Sequence, residues 1–150
     1  MNMNKPTLIE VFSDGSGNTM ESDGGYGWRI VVDKVPLEDG SGYLPKATNN
    51  VAELTAAVEG LKRVEAIIQQ NSWQNAQVVL VADSQLVLGY ASGKWRCKAE
   101  HLRGLQRDLQ AAYNRVDARQ RWVRGHNGDE HNEHCDKLAK AAREGKWGPI

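Results

Sequence analysis

The stretch Thr7–Ser16, reading TLIEVFSDGS, constrains the fold of this chain more than any other. Leu8, Ile9, Val11 and Phe12 form a short apolar, β-branched and aromatic run broken only by Glu10. A run of that length reads as a buried strand. It closes on Asp14-Gly15-Ser16, residues that form turns. A carboxylate at the end of a buried strand is held by rigid backbone, where a metal site can use it. Asp14 also reads as an ordinary turn-starter, so the remaining sequence has to decide between the two.

Tyr26–Val32 (YGWRIVV) reads as a second strand, antiparallel to the first because the connection is short. Asp33–Gly42 is charged and contains Pro36 and Gly40, which reads as a turn. Ser41–Thr48 reads as a weaker third strand, with Pro45 marking an edge. From Asn50 to Gln70 the period changes. Val51, Leu54, Ala57, Val58, Leu61, Val64, Ile67 and Ile68 recur at spacings of three and four, which predicts an amphipathic helix capped by Thr48 or Asn49. Gln77–Ala82 (QVVLVA) is a second buried run, again followed by a carboxylate, Asp83.

Ser84–Ala91 predicts a short helix, broken by Ser92-Gly93. Leu102, Leu105, Leu109 and Ala112 give a helical stripe. Arg119–Arg124 alternates as a last strand. Glu130–Arg143 predicts a final helix with Cys135, Leu138, Ala139 and Ala142 facing inward. A strand–helix–strand step makes a parallel pair with a right-handed crossover. The expected architecture is α/β: a five-stranded mixed sheet, its first three strands antiparallel, with helices on both faces, as one domain over residues 1–150.

Lys plus Arg and Asp plus Glu are balanced at 19 each, so bulk attraction to a polyanion is not built in and local patches must meet one. No segment approaches the roughly 20 apolar residues of a membrane span, and no signal peptide is recognisable at Met1–Lys5. Cys97 and Cys135 are far apart and make no CxxC pair, which fits a reducing, cytoplasmic setting.

Asp14 and Asp83 both follow buried runs. Glu53 lies early in the long helix and Asp136 early in the last one. Each alone reads as a solvated charge, and Glu53 also suits the helix dipole. Brought together, four acids repel one another unless cations neutralise them. Hard oxygen ligands of this kind suit Mg²⁺, with Mn²⁺ as a substitute. Two such ions about 3.5–4 Å apart activate water and stabilise a leaving oxygen at phosphorus.

The ordered blocks D-G-S at 14–16, G-G-Y-G at 24–27, T-N-N-x-x-E-L at 48–54, A-D-S-Q at 82–85, R-G-H-N-G at 124–128 and N-E-x-C-D at 132–136 resemble the type 1 ribonuclease H family over nearly the whole chain. The resemblance implies a ribonuclease H-like fold. It also implies a metal-dependent endonuclease that cuts the RNA strand of RNA–DNA hybrids and leaves 5′-phosphate and 3′-hydroxyl ends. Asp14, Glu53, Asp83 and Asp136 match the metal-binding catalytic acids, with two ions per site. His126, ten residues before Asp136 on a glycine-flanked loop, matches a residue that assists proton transfer or product release.

Asn49, Asn50 and Gln85 match minor-groove readers, whose amides both donate to and accept from a 2′-hydroxyl. Asn49 and Asn50 also read as helix-capping residues. Backbone at Gly15, Ser16 and Gly17 could approach the RNA strand, and Lys46 and Thr48 match positions that grip a DNA-strand phosphate. A monomer is the expected working form.

Two departures stand out. The turn after Asp14 reads Gly17-Asn18-Thr19-Met20-Glu21 rather than G-N-P-G. Only Lys94–Lys98, with Trp95, occupies the place where many members insert a long basic protrusion. Weaker hold on the hybrid, with a shallow salt dependence, is the expected consequence. Three alternatives stay open: a related integrase or junction resolvase, a non-catalytic hybrid-binding module, and a zinc site from His126, His131, His134 and Cys135.

Overall fold

The computed structural model describes residues 5–18, 22–125 and 128–145. The elements run β1 (Leu8–Ser16), β2 (Gly24–Val32), β3 (Val35–Leu44), α1 (Asn49–Asn71), β4 (Gln77–Ala82), α2 (Gln85–Ser92), α3 (Arg103–Arg115), β5 (Arg119–Trp122) and α4 (Glu130–Arg143). The sheet order is β3-β2-β1-β4-β5. The β1–β2 and β2–β3 pairs are antiparallel, and β1–β4 and β4–β5 are parallel. This is the mixed sheet the sequence predicts.

Two expectations about turns are corrected. Asp33–Gly42 is not a turn. The chain reverses over Asp33 and Lys34 alone, with φ of 47° and 72°. Two central residues with positive φ match the twist of the flanking strands, so β3 starts at Val35 rather than Ser41. Neither residue is glycine, which hid the turn. It is fixed instead from β1: the Thr7 and Leu8 amides donate to Asp33 Oδ1 at 3.1 and 2.9 Å. Pro36 is tolerated because β3 is an edge and the register shifts opposite it, between Ile30 and Val31. Nor is Asp14-Gly15-Ser16 a turn. There β1 continues as a strand, with Asp14 opposite Gly27 and Ser16 opposite Gly25.

Side-chain alternation along the strands builds a core on each face. Ile9, Val11, Ile30 and Val32 pack with Leu54, Leu61 and Val64 of α1 and Leu109 of α3. Phe12, Val31, Val79 and Val81 pack with Cys135 of α4 on the other face. Each such apolar side chain contributes about 1.5–3 kcal/mol when buried. Glu10, the polar break in the β1 run, is buried on the α4 face. Its two carboxylate oxygens meet Arg121 at 2.7 Å and Lys34 at 3.4 Å.

Glycines set how closely the helices approach. A Cβ on Gly15 would overlap the Glu53 nitrogen and the Ala52 carbonyl carbon, so α1 lies with its backbone against β1. On the opposite face a Cβ on Gly27 would lie 2.7 Å from the Cys135 carbonyl oxygen, and one on Gly25 would strike the Ala139 carbonyl oxygen. Thr48 caps α1 by accepting from the Val51 amide at 3.2 Å, worth about 1 kcal/mol.

Gly25→Ala forces α4 off the sheet. The expected cost is about 3 kcal/mol in urea unfolding, and activity falls further than stability because α4 carries Asp136. A variant with wild-type stability contradicts the packing argument.

Candidate active site

The last residue pair of the β1–β4 ladder is Ser13 with Ala82. The next residue on each strand is an aspartate, so Asp14 and Asp83 leave the ladder side by side. Asp14 is not the final residue of its strand, as the sequence suggested; β1 runs two residues further along β2. Glu53 comes in from the first turns of α1 across Gly15. One carboxylate oxygen from each of Asp14, Glu53 and Asp83 lies within 4.8 Å of the others. Asp136 lines the same cleft of about 430 Å³, with Gly15, Ser16, Asn49, Ser84 and Lys140. Four acids far apart in sequence are therefore brought to one concavity.

Burial shapes their chemistry. Asp14 and Glu53 are 4% and 6% exposed. The Asp14 carboxyl is pushed up to about 7, first by burial and then by the charge of Asp83, against a hydrogen bond with Glu53 and one from the Gly15 amide. Glu53 is pushed up to about 10 by burial and then by the charges of Asp14 and Asp83. Among the described residues Glu53 Oε2 is buried with no hydrogen-bond partner. An orphaned carboxylate oxygen beside two further carboxylates is what a hard divalent cation fits. Lys140, one helical turn beyond Asp136, pairs with it at 3.0 Å and brings the cleft a positive charge from within the chain.

The expected substrate residues fall around this cleft to different degrees. Gly15, Ser16 and Asn49 line it. The missing side chain of Gly15 faces α1 backbone, which accounts for that glycine whatever approaches from outside. Asn50 is exposed on the first turn of α1. Thr48 is half-buried and its hydroxyl already serves as the α1 cap. Lys46 is exposed, with φ 55°. Gln85 is exposed and lines an adjoining hollow with Trp95 and Trp122. His126 lies outside the described residues. Its predecessor Gly125 abuts the site: a Cβ there would lie 2.9 Å from Asp83 Oδ2.

The zinc alternative loses its described members. His134 Nε2 bonds Asp39 Oδ2 at 2.8 Å, Arg29 Nη1 donates to His131 Nδ1 at 3.2 Å, and Cys135 is fully buried. These side chains do not converge. Sequence reasoning missed Ser84, Lys140 and Arg143, whose Nη1 donates to Ser16 Oγ at 3.3 Å. The four-residue step from Asp136 to Lys140 is a helical ion-pair spacing that could have been read.

A family model described as RNase H matches residues 6–144. The chain belongs to the RNase H family. A ribonuclease H of Aeromonas salmonicida (strain A449) is 32% identical over 142 residues, covering 92% of this chain and 91% of that protein. LC11-RNase H1, isolated from compost by a metagenomic approach, superposes with a TM-score of 0.79 at 24% identity, covering 95% and 98% of the two chains. LC11-RNase H1 in complex with an RNA/DNA hybrid superposes with a TM-score of 0.78 at 21% identity, covering 91% and 97%. The enzyme class is ribonuclease H. Among the described residues no helix is long and apolar enough to cross a membrane.

The raised carboxyls fix a pH dependence. In the native state Asp14 and Glu53 keep protons that the unfolded chain releases near pH 4. Native stability therefore falls as pH rises from about 4 through 7, where Asp14 ionises, and on towards 10 with Glu53. In EDTA the melting temperature should drop by at least about 5 °C between pH 5 and 8. Asp14→Asn should flatten that slope, and Mg²⁺ or Mn²⁺ should raise the melting temperature at pH 8 and leave it unchanged at pH 5. Scanning calorimetry checks both; a melting temperature that rises over this range contradicts the assignment.

Proposed function

We propose that this chain, as one domain, hydrolyses the RNA strand of RNA–DNA hybrids with two divalent ions and leaves 5′-phosphate and 3′-hydroxyl ends. The observation that carries the reading is the convergence of Asp14, Glu53 and Asp83 beside Asp136, with an unpartnered Glu53 oxygen. Family membership supports it, as does the hybrid bound by LC11-RNase H1. The five strands in one sheet and a family match from residue 6 to 144 support the single domain.

Asp14, Glu53, Asp83 and Asp136 hold the ions, Mg²⁺ with Mn²⁺ as a substitute. When bound, the ions supply Lewis acidity that activates water and offsets charge on the leaving oxygen. The residues themselves work by position and electrostatics. Asn49, Asn50 and Gln85 read 2′-hydroxyls and base edges in the minor groove. Thr48 retains an O–H to donate to a DNA-strand phosphate, and Lys46 adds charge there. Backbone at Gly15 and Ser16 runs beside the RNA strand. His126 moves a proton or speeds product departure. The proposed working form is a monomer. Two free thiols, Cys97 and Cys135, agree with a cytoplasmic setting.

Asp14→Asn removes a ligand without changing shape. Cleavage of a labelled hybrid should fall by at least about 1,000-fold while the far-UV spectrum stays unchanged. His126→Ala should slow turnover about 10- to 100-fold. Near-normal cleavage by Asp14→Asn sinks the reading. Cutting duplex DNA in preference to the hybrid favours an integrase or resolvase instead. Tight hybrid binding with no cleavage in Mg²⁺ or Mn²⁺ favours a binding module.

A further inference from the structure

Beyond α2 the chain turns strongly basic. From Lys94 to Arg107 it carries five cations, Lys94, Arg96, Lys98, Arg103 and Arg107, against one acid, Glu100. All five are exposed, and among the described residues none forms an ion pair. Arg29, Arg63, Arg115 and Arg121, by contrast, each meet a carboxylate. In a chain of zero net charge, a cluster of uncompensated cations marks where a polyanion is met.

The fold gathers three of them. Arg96, Arg103 and Arg107 line one cavity of about 370 Å³ with Trp95 and Gln106. Arg103 and Arg107 are one turn apart on α3 and share a face. The neighbouring acid, Asp108, lines a different hollow with Lys62 and Arg115, so its charge is turned away. The cavity also continues towards the acids. Trp95 lines a second hollow together with Gln85 and Trp122. Trp122 Nε1 in turn donates to the Asp83 carbonyl at 3.0 Å. Trp122 and Trp95 thus step from the backbone of Asp83 to the arginines. The eight residues of α2 span about 12 Å, roughly four phosphate spacings along one strand.

We propose that Arg96, Arg103 and Arg107 form a second nucleic-acid contact, which grips backbone phosphates of the hybrid on the α2 side of the cut. Guanidinium groups suit this task because their planar donors pair with phosphate oxygens. The proposal rests on the acid cleft being the hybrid-cleaving site. It goes beyond the linear segment Lys94–Lys98, because only the packing of α3 adds Arg103 and Arg107.

The test compares wild type with the triple variant Arg96→Gln/Arg103→Gln/Arg107→Gln on three hybrids that share one cut site: a short one, and two with a long duplex arm on one side or the other. For one long-armed hybrid only, KM should rise about tenfold and the slope of log KM against log salt should fall by about 2–3. The short hybrid should be cleaved at the wild-type rate, which also reports an intact fold. Arg→Lys at the three positions should restore the salt slope. Identical KM and slope for wild type and variant overturn the proposal, and so does an equal loss on all three substrates. Should wild type cleave no hybrid, the reading of the acid cleft fails. Binding of the same hybrids in EDTA then decides the patch: an arm-specific loss in the variant supports it, and no difference overturns it.

Discussion

Three carboxylates held within 4.8 Å of one another, two of them almost wholly buried, are the constraint on which this molecule turns. In water such groups separate. Here the end of the β1–β4 ladder and the start of α1 prevent it. The protein without cations answers by keeping protons on Asp14 and Glu53 near neutrality: burial raises both carboxyls most, and the repulsion of neighbouring acids, which the fold leaves unrelieved, adds to it. A divalent cation relieves it better than a proton, because one ion meets several oxygens at once. The site is thus unfavourable to the apo fold in the form that makes it useful to a reaction at phosphorus.

Glycine makes the convergence possible. The fold does not send long side chains across a gap to meet. It lowers two helix backbones onto the sheet, α1 at Gly15 and α4 at Gly25 and Gly27, so that short acids on each element already lie at the cleft. The Asp39 network reinforces α4: His134 Nε2 and Arg29 Nε both donate to that carboxylate at 2.8 Å, linking β2, β3 and α4. Placement by backbone is more exact than placement by flexible side chains, and catalysis by positioned charge requires that exactness.

Much of this was legible in the sequence because the relevant signals are local. The three- and four-residue spacing of Val51 through Ile68 gave α1. The bounds of β4 and α4 fell at Gln77–Ala82 and Glu130–Arg143 as read. What escaped depends on tertiary partners. The Asp33-Lys34 reversal is stabilised by amides of Thr7 and Leu8, so no turn motif announced it. Asp14-Gly15-Ser16 has turn composition but gains a strand partner in Gly25–Gly27. The convergence of the acids was an inference from block order, since spacing alone does not bring strand ends and helix starts together. The arginine cavity was out of reach, because Arg96 meets Arg103 and Arg107 only when α3 folds back beside the loop.

The most direct test of the central claim is Mn²⁺ binding by electron paramagnetic resonance at pH 8, on wild type and on Glu53→Gln. Wild type should bind saturably, with Mg²⁺ displacing the Mn²⁺, and Glu53→Gln should bind at least about tenfold more weakly. Equal binding by the two proteins, or no saturable binding by wild type, would contradict it.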